Sequence, residues 1–236
     1  MIMLTVIQNV CSRTNITIPT TVIGSMDKQV LQLRALLEEE GIALADRGDW
    51  QELTFEAIHT TLAAEDQGAI TTIASNGFDH FKADSFWDRT QRLPVVVLDG
   101  QEWAAAKALT ATGPKPQARI RGGKLIANPV PTAGNAWTFE YVSKNWILGA
   151  DGITYKQLFT LDTDVILLPE KIVIAGLRWR WKKEKGFDYA EDFNSYEAMV
   201  SKALGHNGLK KRLNQAGGYA SPRPGIVIPD GNWSVP

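Results

Sequence analysis

The chain has one cysteine, Cys11, so it holds neither an internal disulfide framework nor a thiolate zinc site. Its three histidines, His59, His80 and His206, are scattered, which argues against a histidine-rich metal site. No apolar run approaches the ~20 residues that a bilayer span requires. The N-terminal MIMLTVIQNVCSRTN is apolar but short. It lacks a basic n-region and a small-residue cleavage site, so it reads as a folded helix and not a signal peptide. An excess of one charge is missing too: 25 basic against 26 acidic residues give a net charge of −1, unlike a generic basic nucleic-acid binder. The usual catalytic signatures are absent: P-loop, GxGxxG after a strand, nucleophile elbow and HExxH. These absences point to a soluble, non-enzymatic protein with no cofactor or metal, made in a reducing compartment.

What is present is globular. Hydrophobic content of 44% beside 22% charged residues is enough to bury a core in one large or two small domains. Local charge is uneven: residues 1–49 carry 4 basic and 6 acidic groups, residues 50–168 carry 10 and 13, and residues 169–213 carry 10 and 6. Positive charge is in excess only in that last segment.

The ends read as helix and the middle as strand. After a first helix over about residues 2–13, SMDKQVLQLRALLEEEGIALADRGDW places Val30, Leu33, Leu37 and Leu44 at helical spacing, with Ser25 or Asp27 as cap. Glu38, Glu39 and Glu40 read as a solvated face of that helix. From Trp50 the runs shorten. LTFEAIHTTLA and GAITTIA flank the turn-rich AEDQG, which predicts a hairpin. LPVVVLDG predicts a strand that leads into a short helix, QEWAAAKAL. TATGPKPQA is a linker, because Pro114 and Pro116 forbid a phosphate cradle of backbone amides. ARIRGGKLIANP predicts a hairpin turning at Gly122-Gly123. In AWTFEYVSKNW, Trp137, Phe139 and Tyr141 share one strand face, which reads as core.

Helix returns at LDTDVILLPEKIVIAGLRWRW, with Pro169 at a first helical position and Asp162 or Asp164 upstream. A last helix from about Tyr189 carries Phe193, Tyr196, Val200 and Leu204 along one stripe. The segment NQAGGYASPRPGIVIPDGNWSVP is too rich in glycine and proline for regular structure, yet it holds Ile226, Val227, Ile228 and Trp233. It reads as an arm that docks on something. The predicted fold is α+β: a helical bundle of residues 1–49 and 167–213, a sandwich-like β-rich insertion of residues 50–166, and an extended arm of residues 214–236.

The acidic pairs in AEDQG and LDTDV lack the spaced oxygen ligands of a calcium loop and read as turns and caps. Asp188, Glu191 and Asp192 form the densest carboxylate cluster, at a helix start where acids complement free amides. In GLRWRWKKEKGFDYAEDF, about 100° per helical residue turns Trp179 and Trp181 to opposite sides. The preceding IVIAGL is apolar all round, so such a helix needs cover on every side. That leads to the expectation that a neighbouring subunit supplies part of it. Arg178, Lys182 and Lys185 fall on one stripe, which reads as salt-bridged or solvated, or as facing an acidic partner or passing DNA.

The order LTVIQNVCSR, SMDKQVLQLRALLEEEG, DWQELTFEA, GAITTIASNGFD and LPEKIVIAGLRWRWKKEKGFDYAEDFNSYEAMV resembles the head–tail adaptor (connector) proteins of short-tailed bacteriophages related to tail tubular protein A. The resemblance covers about residues 1–213, and its most specific part is the tryptophan-rich helix followed by GFDYAEDFNSYE. It implies a helical bundle with a β-rich insertion and a ring, usually twelve-fold, beneath the portal of the DNA-filled head. The ring docks a tail nozzle or tube protein and lets double-stranded DNA pass without sequence specificity. The implied location is the virion's head–tail junction, after synthesis in the host cytoplasm.

On this reading Trp179, Trp181, Tyr189 and Phe193 anchor the helical core and the contact between subunits. Arg178, Lys182 and Lys185 face the DNA channel or an acidic neighbour, and Ile226, Val227, Ile228 and Trp233 pin the arm to the portal. The rival reading is a β-sandwich carbohydrate-binding module that stacks sugars on Trp137 and Tyr141. A third class is a hydrolase using Asp188 and Asp192.

Overall fold

The computed structural model describes residues 1–108 and 115–207. The arm predicted at 214–236, with Ile226, Val227, Ile228 and Trp233, lies outside the described residues, as does most of the TATGPKPQA linker. The described chain is mixed α+β. In order it runs α1 (Met3–Thr14), α2 (Lys28–Ala45), β1 (Thr54–Thr60), β2 (Asp66–Ala69), α3 (Ile70–Ile73), β3 (Phe78–Phe81), β4 (Trp87–Asp88), β5 (Leu93–Pro94) and β6 (Val96–Val97). It continues through α4 (Gly100–Ala108), β7 (Gln117–Arg121), β8 (Lys124–Asn128), β9 (Ala136–Ser143), β10 (Ile147–Leu148), β11 (Tyr155–Lys156), β12 (Val165–Ile166), α5 (Glu170–Glu184) and α6 (Ala190–Asn207). The chain divides into two compact units. One joins Met1–Thr54 to the chain from Ser143 through α6, and the other is Phe55–Val142.

In the first unit, α1 buries Met3, Val6, Ile7, Val10 and Cys11, a stripe at helical spacing. Asn15, with φ 56°, ends it in the left-handed conformation that asparagine tolerates. Asp27 is the cap that starts α2, its side chain accepting from Gln29 N at 2.8 Å. Helix α5 packs against α1, α2 and α6. Those neighbours bury Ile172, Val173, Ile174, Gly176 and Leu177 almost completely. The expectation that a neighbouring subunit must cover this apolar helix is therefore corrected, because other helices of the same chain surround it.

The boundary of the insertion is corrected as well. Residues 143–166 belong with the helices and not with the β-rich unit. Trp146 and Phe159 meet edge to face at 5.2 Å, and the Trp146 indole fills the space a Cβ would need at Gly41 on α2. Strands β11, β10 and β12 form a small sheet beside them. Asp162 and Asp164 hold loops and do not cap α5. Asp162 accepts from Ile23 N at 2.7 Å, and Asp164 from Thr160 N at 2.8 Å and Leu161 N at 2.9 Å. Pro169 occupies the cap position of α5, one residue before its predicted place.

The second unit holds two sheets. One runs β1-β9-β4-β5, with β3 also on β9, and the other runs β2-β8-β7-β6. They share a core built from Ala57, Ala118, Leu125, Ala127, Trp137 and Phe139 among others. The β7–β8 hairpin forms as expected, with positive φ at both Gly122 and Gly123. The hairpin expected around AEDQG does not form, since β1 and β2 belong to different sheets. Gln67 takes over that connection instead, bonding Leu62 N, Leu62 O and Ala64 O, while Ile70–Ile73 turn into α3. The strand expected in LPVVVLDG breaks at Val95, because β5 pairs with β4 and β6 pairs with β7.

Candidate interaction site at the α5–α6 corner

The corner between α5 and α6 follows from local chemistry. Past Lys185, Gly186 adopts φ 73°, a conformation that costs glycine little. Gly186 N then bonds Lys183 O at 3.1 Å and Phe187 N bonds Lys182 O at 2.9 Å, which satisfies carbonyls left open at the helix end. Phe187 folds back on Trp181, ring centroids 5.7 Å apart, the apolar contact that accompanies such a stop. Asp188 accepts from Ala190 N at 3.1 Å and starts α6. Of the carboxylate cluster, Asp188 thus does cap the helix.

Trp179 and Trp181 go to different neighbours, as their spacing predicts. Trp179 packs on Phe193 at 5.1 Å, Tyr196 at 6.0 Å and Tyr189 at 6.2 Å. Its indole face also carries the Arg180 guanidinium at 4.9 Å. Both indoles are over nine-tenths buried within the chain, and neither Nε1 has a hydrogen-bond partner. Trp179, Phe193, Tyr189, Phe187, Lys183 and Asn194 line an open groove of about 710 Å³. On its rim Phe187 is 56% exposed and Tyr189 38% exposed. Three of the four predicted contact residues therefore meet at one groove, with Trp181 behind Phe187.

The basic stripe turns inward. Arg178 and Lys182 both pair with Asp192 on α6. Burial works to raise the Asp192 pKa, but the Lys182 hydrogen bond and the two cations overcome it and hold the carboxyl below its ordinary value. Lys185 lies over the Trp181 ring at 6.0 Å. The acidic partner of the stripe is thus in the same chain, and of its three members Lys185 alone pairs with no acid among the described residues.

Glu40 overturns an expectation outright. Its place in the Glu38–Glu40 run predicts a solvated face, yet it is completely buried. It sits on the same stripe as Leu33, Leu37 and Leu44, and that spacing was the signal in the sequence. Its Oε2 accepts from Arg180 Nε at 2.5 Å, and Arg180 also pairs with Glu39. Its Oε1 lies against Gly176, where any Cβ would overlap it. Burial raises the Glu40 pKa, outweighing Tyr196 and Arg180, which pull it down. Burial and the Glu40 charge together raise that of Tyr196. Beyond them, Arg47 lies over the Tyr196 ring at 5.6 Å and pairs with Glu197 at 2.7 Å. The polar cluster ties α2, α5 and α6 together.

Other sequence candidates are accounted for. Trp137 and Tyr141 are buried in the sheet core, so neither offers a face on which a sugar could stack. Asp188 serves as a cap, and Asp192 is engaged by Arg178 and Lys182. Among the described residues, no group of three or more His, Cys, Asp or Glu is placed to hold a metal ion. No described helix is long and apolar enough to cross a membrane. Compared with known proteins, the chain matches no family model and no curated protein.

Proposed function

We propose that this chain is a head–tail adaptor of a tailed bacteriophage. In this reading it is a structural virion protein that forms a ring, twelve-fold by the family pattern, between portal and tail. The ring gives DNA a passage and a nozzle or tube protein a docking surface. The observation that carries the reading is the ordered series of segments from LTVIQNVCSR to GFDYAEDFNSYE, which resembles that family over most of the chain. The division into units supports it, with helices from both chain ends in one unit and the β-rich segment in another. So does an exposed aromatic groove at the family-like corner.

In the adaptor, the Phe187–Tyr189 rim and Phe193 receive the neighbouring subunit, while Trp179 and Trp181 hold the groove in shape from below. Lys185 is the member of the basic stripe left to face DNA. The arm with Ile226, Val227, Ile228 and Trp233 reaches the portal. Light scattering and negative-stain imaging of the purified chain, alone and with portal protein, test the reading. Rings are expected, and replacing Phe187 and Tyr189 by Ala is expected to abolish them at unchanged helical content. A strictly monomeric protein that ignores portal protein overturns it.

A further inference from the structure

The edges of the two sheets in the β-rich unit are guarded unequally. Strand β5 is two residues long and ends in Pro94, and β6 is equally short. Strand β3 carries Asp79 and His80 at its centre. Strand β2 is bulged between Asp66 and Gly68. Shortness, proline, charge and bulges are the means by which proteins keep an edge from pairing. Strand β1 differs: it has seven residues, TFEAIHT, without proline, lysine or break. Its carboxylate, Glu56, is engaged by Arg89 at the end of β4.

The register of β1 shows which backbone groups are open. On β9, Ala136 O accepts from Arg89 N at 2.8 Å and Glu140 O from Lys82 N at 2.9 Å, so its even-numbered residues turn to β4 and β3. Just past β1, Thr61 N donates to Asn135 O at 2.9 Å, so the odd-numbered residues of the two strands turn to each other. Backbone groups alternate sides along a strand, and those of Glu56, Ile58 and Thr60 therefore point away from β9. No strand lies beyond β1 among the described residues. The side chains of the same three residues are exposed. Ile58, at the middle of the open row, is 63% exposed, the most of any large apolar side chain described in this unit.

We propose that β1 pairs antiparallel with β1 of a second copy of this chain, about a two-fold axis at Ile58. The row of open groups is self-complementary. With Ile58 opposite the second copy's Ile58, Glu56 lies opposite Thr60 and Thr60 opposite Glu56, and each pair exchanges two backbone bonds. Side chains directly opposite stand on one face, so the two exposed isoleucines cover each other and no like charges meet. Moving the register by two residues keeps the bonding pattern but sets Ile58 against Glu56 or Thr60. The apolar match thus selects one register among those the backbone allows. A contact that matches its own rotated image closes at two copies. A strand pair of this length buries less than the ~1,200 Å² of a standard interface, so the dimer is weak and forms by mass action. It uses none of the residues of the α5–α6 corner and does not rest on the adaptor reading.

Sedimentation of the full chain over a range of concentrations tests it, with Phe187 and Tyr189 replaced by Ala to remove contacts through the corner groove. A monomer–dimer equilibrium is expected, and a monomer at every concentration up to ~1 mM overturns the proposal. Ile58 is exposed, so a charge there leaves the fold intact, which circular dichroism checks. Ile58→Lys and Ile58→Glu are each expected to weaken dimerisation at least ~10-fold by setting like charges opposite each other. An equimolar mixture of the two is expected to restore it, because position 58 faces itself. Dimers indifferent to either charge, or a mixture that stays monomeric, overturn the pairing. Oxidised Ile58→Cys is expected to give a cross-linked dimer, since the paired Cα atoms lie about 5.5 Å apart. Glu56→Cys is not, because its two copies stand roughly 14 Å apart across the axis. Equal cross-linking of both variants, or of neither, overturns the register and the proposal with it.

Discussion

Both units bury carboxylates, Asp88 in the β-rich unit and Glu40 and Asp164 in the helical unit, and Asp88 and Glu40 are handled in opposite ways. In the β-rich unit, Asp88 meets only neutral donors: Asn135 Nδ2 at 2.9 Å, Trp137 Nε1 at 3.1 Å and Gln91 N at 2.8 Å. Its network is local and complete. In the helical unit, Glu40 depends on a cation from α5 and a phenol from α6. Its Oε1 has no hydrogen-bond partner, and neither do Trp146 Nε1, Arg178 Nε, Trp179 Nε1 and Trp181 Nε1 in the same unit or Thr138 Oγ1 in the β-rich one. The contrast separates two uses of a buried charge. Asp88 fastens one turn to one strand, whereas Glu40 sets three helices against each other.

The contrast breaks most sharply at Arg180. Arg180→Ala strands Glu40 without its cation and is expected to cost about 3–5 kcal/mol in urea unfolding. Adding Glu40→Gln should recover most of it, and a loss below about 1 kcal/mol for the single variant would erase the difference between the units. Gly41→Ala comes next, because its Cβ overlaps the rigid Trp146 indole. About 1–3 kcal/mol of overpacking should outweigh the ~1 kcal/mol that alanine gains over glycine in a helix. A raised melting temperature would contradict that packing. Asp88→Asn turns an acceptor toward donors and is expected to cost about 1–3 kcal/mol. Hydrogen exchange should then open β4 and β9 and leave α5 protected.

A smaller effect is the pH dependence of the helical unit. The Glu40 pKa is raised on folding, so the native state holds the proton more tightly than the unfolded chain. Its contribution is fully present below the ordinary glutamate value and is lost as pH rises through the raised one. Asp192, held low, works in the other direction: its contribution is present above the ordinary aspartate value and falls away in acid. Glu40→Gln should therefore flatten the loss of stability toward neutral pH without touching the acid limb. An unchanged profile would remove Glu40 from the account. The smallest effect is at Glu197, whose pair with Arg47 is about one-third exposed on both sides. Glu197→Ala should cost about 0.2–1 kcal/mol and less in high salt.

Local patterns were the legible part. The spacing of Val30, Leu33, Leu37 and Leu44, the Gly122-Gly123 turn and the alternating aromatics of β9 each carry their own periodicity, and each element formed where they stand. Pairing between distant segments was not legible. The AEDQG hairpin failed because strand propensity is local, while the choice of partner depends on which sheet edge is free. At the corner, the glycine stop and the Asp188 cap were written in neighbouring residues, but the destination of Arg178 and Lys182 was not. A basic stripe looks the same whether it faces solvent, DNA or a carboxylate fourteen positions away.

Sequence alone determined the helical ends, the strand-rich middle, the aromatic core of β9 and the turn between α5 and α6. All of these rest on periodicity and on single-residue conformational preferences. Tertiary structure alone decided that α5 is covered by its own chain, that residues 143–166 belong with the helices, and that Glu40 is a core residue. The physical reason is the same in each case. Burial is a property of what packs around a residue, and a charge moves into a core when a partner such as Arg180 arrives from a helix 140 positions further along the chain.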